Sequence, residues 1–286
     1  MHPVLFTLEL PGGAPLTLYS YGLMLGLAVV AGWRLTVHMG QRHCGLDEEL
    51  LGGAYFSAVV AGLVGGRAAH LLLYGETPGS DSGGLLNLAG GGSSAHGALA
   101  AALLGAWLYL RRKGTPLKVF LDASAPAMGL GMALGSIGCY LHGCDFGVAL
   151  AEDAPGWLAS LGTFPNGSPA FDYHVDRYGI ASDADSAMPV HPAQLEAALA
   201  GLVLLWLSLR LVRRRSFPGQ VGLATLAGYG ALRFGLEYVR EDVSFSQPFG
   251  FSIPQLLSLL LLAAAGIAFS NARSRSRHGP TAEPQP

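Results

Sequence analysis

Seven apolar stretches run through the chain, at about 19–38, 52–74, 96–110, 119–141, 190–212, 219–239 and 251–270. All but the short third approach the roughly 20 residues that a helix needs to cross a bilayer. That repetition predicts an all-α fold: a polytopic membrane helix bundle of about seven transmembrane helices. Composition agrees, because 51% of the residues are hydrophobic and 13% are charged, against about 25% charged in soluble domains. The 41 glycines suit close helix contacts, since in lipid it is small residues that let backbones approach. Three cysteines give little sign of a disulfide framework. No zinc-finger spacing, nucleotide loop or DNA-reading motif occurs, so no nucleic-acid partner is expected.

Basic residues set the direction of each span. The connectors after the first, third and fifth stretches carry Arg42, then Arg111, Arg112, Lys113 and Lys118, then Arg210, Arg213, Arg214 and Arg215, and the tail adds Arg273, Arg275 and Arg277. The opposite connectors hold only Arg177 and Arg240, among acids such as Glu152, Asp153, Asp172 and Asp176. By the positive-inside rule the N-terminus is outside and the C-terminus cytoplasmic. Met1–Pro15 lacks a basic n-region and a continuous apolar core, so Met1 is expected in the mature chain. The organisation expected is a single transmembrane domain over 1–272, with a small extracytoplasmic cap at about 143–189. The Gly/Ser-rich connector 75–94 is expected to be flexible and the 273–286 tail to be disordered and cytoplasmic.

Direction converts sequence position into depth. Arg67 and His70 fall in the outer half of the second span, three residues apart on one face. His96 opens the third span, Cys139 and His142 close the fourth, His191 and Gln194 open the fifth, and Tyr229, Arg233 and Glu237 lie in the outer half of the sixth. Tyr21 enters the first span from the same side. A charge in hydrocarbon costs about 3 kcal/mol on insertion scales, so ionisable groups inside spans tend to mark a site. Each residue alone has a plainer reading: Arg233 and Glu237 as a neutralised i,i+4 pair, Arg67 as a snorkelling side chain, the tyrosines as interface aromatics. Their gathering toward one leaflet favours a site. Two arginines beneath a headgroup layer suit a phosphate, because guanidinium offers a planar fork of donors and stays charged when buried. A neutral histidine beside them can act as general base toward a hydroxyl or thiol. Together they describe a transferase acting on lipid.

The same residues carry a resemblance. Tyr21-Gly-Leu-Met24, Gly65-Gly-Arg67 with Tyr74, Ser94-Ala-His-Gly97, Val190-His-Pro-Ala-Gln-Leu-Glu196, Gly228-Tyr-Gly-Ala-Leu-Arg-Phe-Gly-Leu-Glu237 and Ile253-Pro-Gln-Leu-Leu-Ser258 follow in the order found in the prolipoprotein diacylglyceryl transferases. The chain resembles that family over nearly its full length. The resemblance implies a phospholipid donor, phosphatidylglycerol, and a lipobox cysteine thiol in a preprolipoprotein signal peptide as acceptor, with glycerol phosphate released. It implies a monomer in the bacterial cytoplasmic (inner) membrane, and no cofactor. By position, His96 matches the catalytic histidine, Arg233 the arginine that holds the lipid phosphate, Glu237 and Tyr229 its supports, and Tyr21 another site residue. Arg67, His70, His191 and Gln194 are expected to bind substrate.

One stretch departs from the family pattern. Where the family reads Gly-Arg-x-Gly-Asn-Phe-x-Asn-Gly-Glu, this chain has Gly135-Ser-Ile-Gly-Cys-Tyr-Leu-His-Gly-Cys144, followed by Asp145. Ser136 stands where the family has an arginine. Three readings of Cys139, His142 and Cys144 stay open. Thiolates and imidazole could hold zinc or copper, completed by Asp145 or a water, in a membrane thiol- or metal-handling protein on the same scaffold. The thiols could form a disulfide on the oxidising side if the helix ends near Gly143. Both cysteines could equally be small packing residues.

Overall fold

The computed structural model describes residues 4–8, 16–74, 93–241 and 250–277. Each of the seven stretches carries a long helix. In chain order the helices are α1 (Ser20–Met39), α2 (Glu48–Tyr74), α3 (Ala95–Arg112), α4 (Leu117–His142), the short α5 (Gly156–Leu161) and α6 (Pro169–Tyr178), then α7 (Ala193–Val212), α8 (Gln220–Leu236) and α9 (Ile253–Arg277). A π turn, Gly40–Cys44, prolongs α1, and a 3₁₀ turn, Glu237–Val239, follows α8. Among the described residues 5 helical segments are long and apolar enough to cross a membrane: Ser20–Cys44, Glu48–Leu73, Leu117–His142, Ala193–Val212 and Ile253–Arg277. The protein is a helical membrane protein. Helix α3, with His96 at one end and two arginines at the other, and α8, at 17 residues, fall outside that set.

Local chemistry explains the helix starts. The Asp47 carboxylate accepts from Leu50 N at 2.8 Å ahead of α2, and Ser94 accepts from Gly97 N at 3.3 Å ahead of α3. Ser252 and Gln255 form a reciprocal box ahead of α9: Ser252 N donates to Gln255 Oε1 at 2.9 Å and Gln255 N to Ser252 Oγ at 3.3 Å. Besides the expected helices, Val4–Leu8 (β1) and Leu16–Tyr19 (β2) pair as an antiparallel ribbon in register Thr7 to Thr17. Both strands are rich in β-branched and aromatic residues, which favour pleated backbone over helix. Helix α9 also runs on to Arg277, so residues 273–277 of the expected tail are helical. Residues 278–286, and all but Ser93 and Ser94 of the expected flexible connector, lie outside the described residues.

The chain divides into two units. The first comprises Met1–Gly32, Met128–Leu207 and Gly228–Leu259. Within it the 143–189 segment is folded around Phe146, Phe164, Phe171 and Val190. Asn166 Nδ2 donates to the carbonyls of Ser182 and Ala184 at 3.2 and 2.9 Å, and Ser168 with Pro169 starts α6. His174 is fully buried in this core. Its Nδ1 accepts from Met188 N at 3.2 Å, which puts the neutral ring's proton on Nε2. Burial holds His174 below its ordinary 6.5, against a smaller upward pull from Glu241. The unfolded chain therefore binds the extra proton more readily, and the stability that the neutral ring confers is lost as pH falls below about 6.5. Thermal melts from pH 7.5 to 5.5 are expected to show Tm dropping with acid in the wild type and a flatter profile in His174→Phe. Parallel profiles would count against this.

The second unit comprises Trp33–Ala127, Ser208–Ala227 and Leu260–Pro286. Here α2 and α3 pack backbone to backbone. A Cβ at Gly105 would stand 2.7 Å from Ser57 O and 2.6 Å from Ala61 Cβ, and one at Gly97 would overlap Ala69 Cβ. Only the absence of a side chain permits that approach. Elsewhere in the unit, Asp122 of α4 is fully buried. Its oxygens accept from Gly219, Val221 and Gly222 N at 2.7, 2.8 and 3.0 Å, and from Arg215 Nη1 at 3.0 Å. One carboxylate thus caps α8 from another helix and fixes the connector that leads into it. Arg215 also reaches His43 O at 2.8 Å and Cys44 Sγ at 3.4 Å.

Candidate active site

In the first unit the polar groups gather where α4 ends. Gly143, at φ 91°, turns the chain into left-handed backbone. Gly143 N and Cys144 N both bond Cys139 O, at 2.7 and 3.1 Å, the closure by which glycine ends a helix and satisfies its last carbonyls. The next residues run extended between two neighbours: Gly147 N donates to His191 O at 3.0 Å and Val148 N to Val239 O at 3.0 Å. A Cβ at Gly147 would stand 2.5 Å from His191 O and 2.6 Å from Val239 O, so glycine is what lets the three segments meet. That pairing brings Arg240, just past the 3₁₀ turn, against Asp145.

Arg240 Nη2 donates to Asp145 Oδ1 at 2.7 Å, and the Cys139 thiol donates to Asp145 Oδ2 at 3.2 Å. Desolvation by the surrounding protein pushes the Asp145 carboxyl upward. The Arg240 guanidinium, through charge and hydrogen bond, outweighs it with help from the Cys139 thiol and Arg233, and holds the group at about 2. Asp145 is therefore an anion at any physiological pH.

Tyr21 approaches the same turn from α1, its hydroxyl within electrostatic reach of Cys139, Cys144 and Asp145. The absence of a side chain at Gly138 admits it, since a Cβ there would lie 3.3 Å from Tyr21 Cδ2. The His142 ring lies 6.4 Å from that of Tyr21 and meets Tyr19 edge-on at 5.7 Å. Gln194, buried at the start of α7, donates from Nε2 to Cys144 O at 2.8 Å. His191 bonds Glu196 at 2.8 Å.

Helix α8 supplies the other cluster of this unit. Arg233 Nη1 donates to Glu237 Oε2 at 2.5 Å, and Ser252 Oγ donates to Glu237 Oε1 at 2.8 Å. Glu237 is 7% exposed, so this carboxylate is fixed on both oxygens with little water to screen it. Tyr229, one turn before Arg233 and equally buried, lies within the electrostatic reach of Arg233, Arg240, Asp145 and Glu237. In this setting Arg233 is oriented by a carboxylate and, among the described residues, only its Nη1 is shown bonded, the arrangement suited to an oxyanion.

Arg67, His70 and His96 belong to the second unit. Arg67 is 2% exposed, His70 sits one turn further along α2, and His96 lies in the first turn of α3. The contact of Gly97 with Gly65 O and Ala69 sets that turn of α3 against the turn of α2 bearing Arg67 and His70.

Among the described residues, no three His, Cys, Asp or Glu side chains converge as a metal's ligands would. The Cys139 thiol donates to Asp145, and the His142 ring lies against Tyr19 and Tyr21. All three cysteines are free thiols. Sequence reasoning missed the Asp145–Arg240 pair, the hold of Ser252 on Glu237, and Asp122. For two of these a signal was present: Ser252-Ile-Pro-Gln255 has capping-box spacing, and Asp122 is a carboxylate within an apolar stretch, the criterion that marked Arg67.

Comparison with known proteins bears on the whole arrangement. A family model described as prolipoprotein diacylglyceryl transferase matches residues 3–270. The phosphatidylglycerol–prolipoprotein diacylglyceryl transferase of Thermus thermophilus is 34% identical over 229 residues, 78% of this chain and 80% of the relative. That of Bordetella avium is 31% identical over 274 residues, 93% of this chain and 94% of the relative. The match runs from β1 into α9 and takes in both clusters; the chain belongs to the prolipoprotein diacylglyceryl transferase family.

Proposed function

We propose that the chain transfers the diacylglyceryl group of phosphatidylglycerol to the cysteine thiol of a prolipoprotein lipobox. It works as a monomer in the bacterial cytoplasmic membrane, with seven spans, the N-terminus outside and the C-terminus cytoplasmic. On this reading α3 and α8 complete the spans, and the 143–189 segment is the extracytoplasmic cap. The observation that carries the proposal is the Arg233–Glu237–Ser252 chain, a guanidinium oriented by a carboxylate that Ser252 fixes in turn. In the reaction the acceptor sulfur bonds to the terminal glycerol carbon of the lipid as that carbon's bond to the phosphate oxygen breaks. His96 takes the thiol proton, and glycerol phosphate leaves with the electron pair. Arg233 stabilises the charge that grows on the leaving phosphate, an interaction stronger in the transition state than before it. Glu237 and Tyr229 orient Arg233, while Tyr21, Arg67, His70, His191 and Gln194 contribute to holding substrate.

The test is direct. Purified protein given phosphatidylglycerol and a lipobox peptide is expected to release glycerol phosphate in step with a gain of diacylglyceryl mass on the peptide. Absence of both products, where the Thermus relative makes them, would overturn the reading.

A further inference from the structure

The turn that closes α4 holds two thiols that lipid transfer does not use. In the glycine-terminated closure, Cys139 is the residue whose carbonyl is reached from beyond the helix end and Cys144 the residue that reaches it. Side chains at those two positions characteristically lie against each other. Here Cys144 N bonds Cys139 O at 3.1 Å, which sets the two residues at those positions of one turn. The pair is asymmetric. Cys139 is 7% exposed and gives its hydrogen to Asp145 at 3.2 Å, whereas Cys144 is partly exposed. Asp145 follows directly, in left-handed backbone at φ 55°, and its other oxygen is held by Arg240 at 2.7 Å. Cys144 is thus accessible to a reagent, Cys139 is within reach of Cys144, and both sit on one turn. Bonding the sulfurs requires no separation of helices.

We propose that Cys144 and Cys139 are an attacking and resolving thiol pair, a modification site that takes a small disulfide and closes reversibly. The Cys144 thiolate attacks one sulfur of the disulfide. That S–S bond breaks, a mixed disulfide forms on Cys144, and the first small thiol departs with a proton. Cys139 then attacks the Cys144 sulfur, and its proton ends on the second departing thiol. The two cysteines are oxidised by two electrons, and the small disulfide is reduced to two thiols. Closure removes the S–H that Cys139 donates to Asp145, and a small dithiol reverses it. The inference rests on the geometry of the turn and stands apart from the transferase reading.

The experiment uses the full chain in lipid nanodiscs treated with glutathione disulfide, followed by peptide mass mapping. Wild type is expected to lose two hydrogens on the peptide holding Cys139 and Cys144, and to regain them with dithiothreitol. Cys139→Ser is expected to stop at a stable glutathione adduct on Cys144, and Cys144→Ser to take none at this turn. A lasting glutathione adduct on wild-type Cys144, or no change at either cysteine, overturns the proposal. Because the readout is mass, failure of lipid transfer leaves it intact, and its own failure leaves lipid transfer intact.

Discussion

Asp122→Ala is expected to destabilise the second unit by about 3–5 kcal/mol, the range for removing one partner of a buried ion pair. The carboxylate accepts three backbone N–H groups at the entry to α8 as well as the Arg215 guanidinium. Alanine would leave all four donors without it. The backbone groups cannot turn to other acceptors, because they are the first N–H groups of a helix and have no carbonyl one turn back. Each buried donor left unmade costs about 1–3 kcal/mol. Asp122→Asn keeps a carbonyl oxygen but offers an amide where Arg215 and the N–H groups need acceptors, so its Tm is expected to fall between wild type and alanine. Thermal unfolding in detergent, followed by helical circular dichroism, reads the effect. An alanine variant melting within about 2 °C of wild type would show that the contacts carry little stability.

How much of this was legible in advance depends on the range of the interaction. The long helices follow from apolar runs, which record a local requirement, and the structure begins and ends them close to where composition changes. The Gly143 helix end, on which a meeting of Cys139 and Cys144 depended, was also legible, because a left-handed cap is written in one residue. The Asp145–Arg240 pair was not. Those residues are 95 positions apart, and what joins them is extended pairing of 146–148 with its neighbours through Gly147, a tertiary event without periodicity. The ribbon of β1 and β2 escaped for another reason: strands of 5 and 4 residues are too short to compete with helical patterns around them. Asp122 was missed although a plain rule would have flagged it, since an acid in a span needs a partner. The family resemblance supplied roles for His96, Arg233 and Glu237, but it had nothing to say about Asp145, which the turn after α4 brings beside a thiol and an arginine.

Arg233→Lys separates the role of charge from the role of shape. Lysine keeps the positive charge but replaces a planar fork with a single strongly hydrated ammonium. In wild type one edge of the fork is spent on Glu237, itself fixed by Ser252, which leaves the remaining N–H groups aimed by the pair. A lysine that satisfies Glu237 has no second, rigidly placed donor for a phosphate. The expected result is a fall in kcat/KM for glycerol phosphate release of about 10²–10³, near 2.7–4 kcal/mol, as found when one donor to a developing oxyanion is lost. If the interaction tightens only as charge grows on the leaving phosphate, the loss falls on kcat and KM hardly moves. Glu237→Gln should act more weakly, about tenfold or 1.4 kcal/mol, because the amide still positions the guanidinium. Ser252→Ala should resemble it if positioning is what Glu237 contributes. A lysine variant within about threefold of wild type, with unchanged Tm, would mean that a point charge suffices and the fork has no part in the reaction. A loss confined to KM would instead make Arg233 a ground-state binding group.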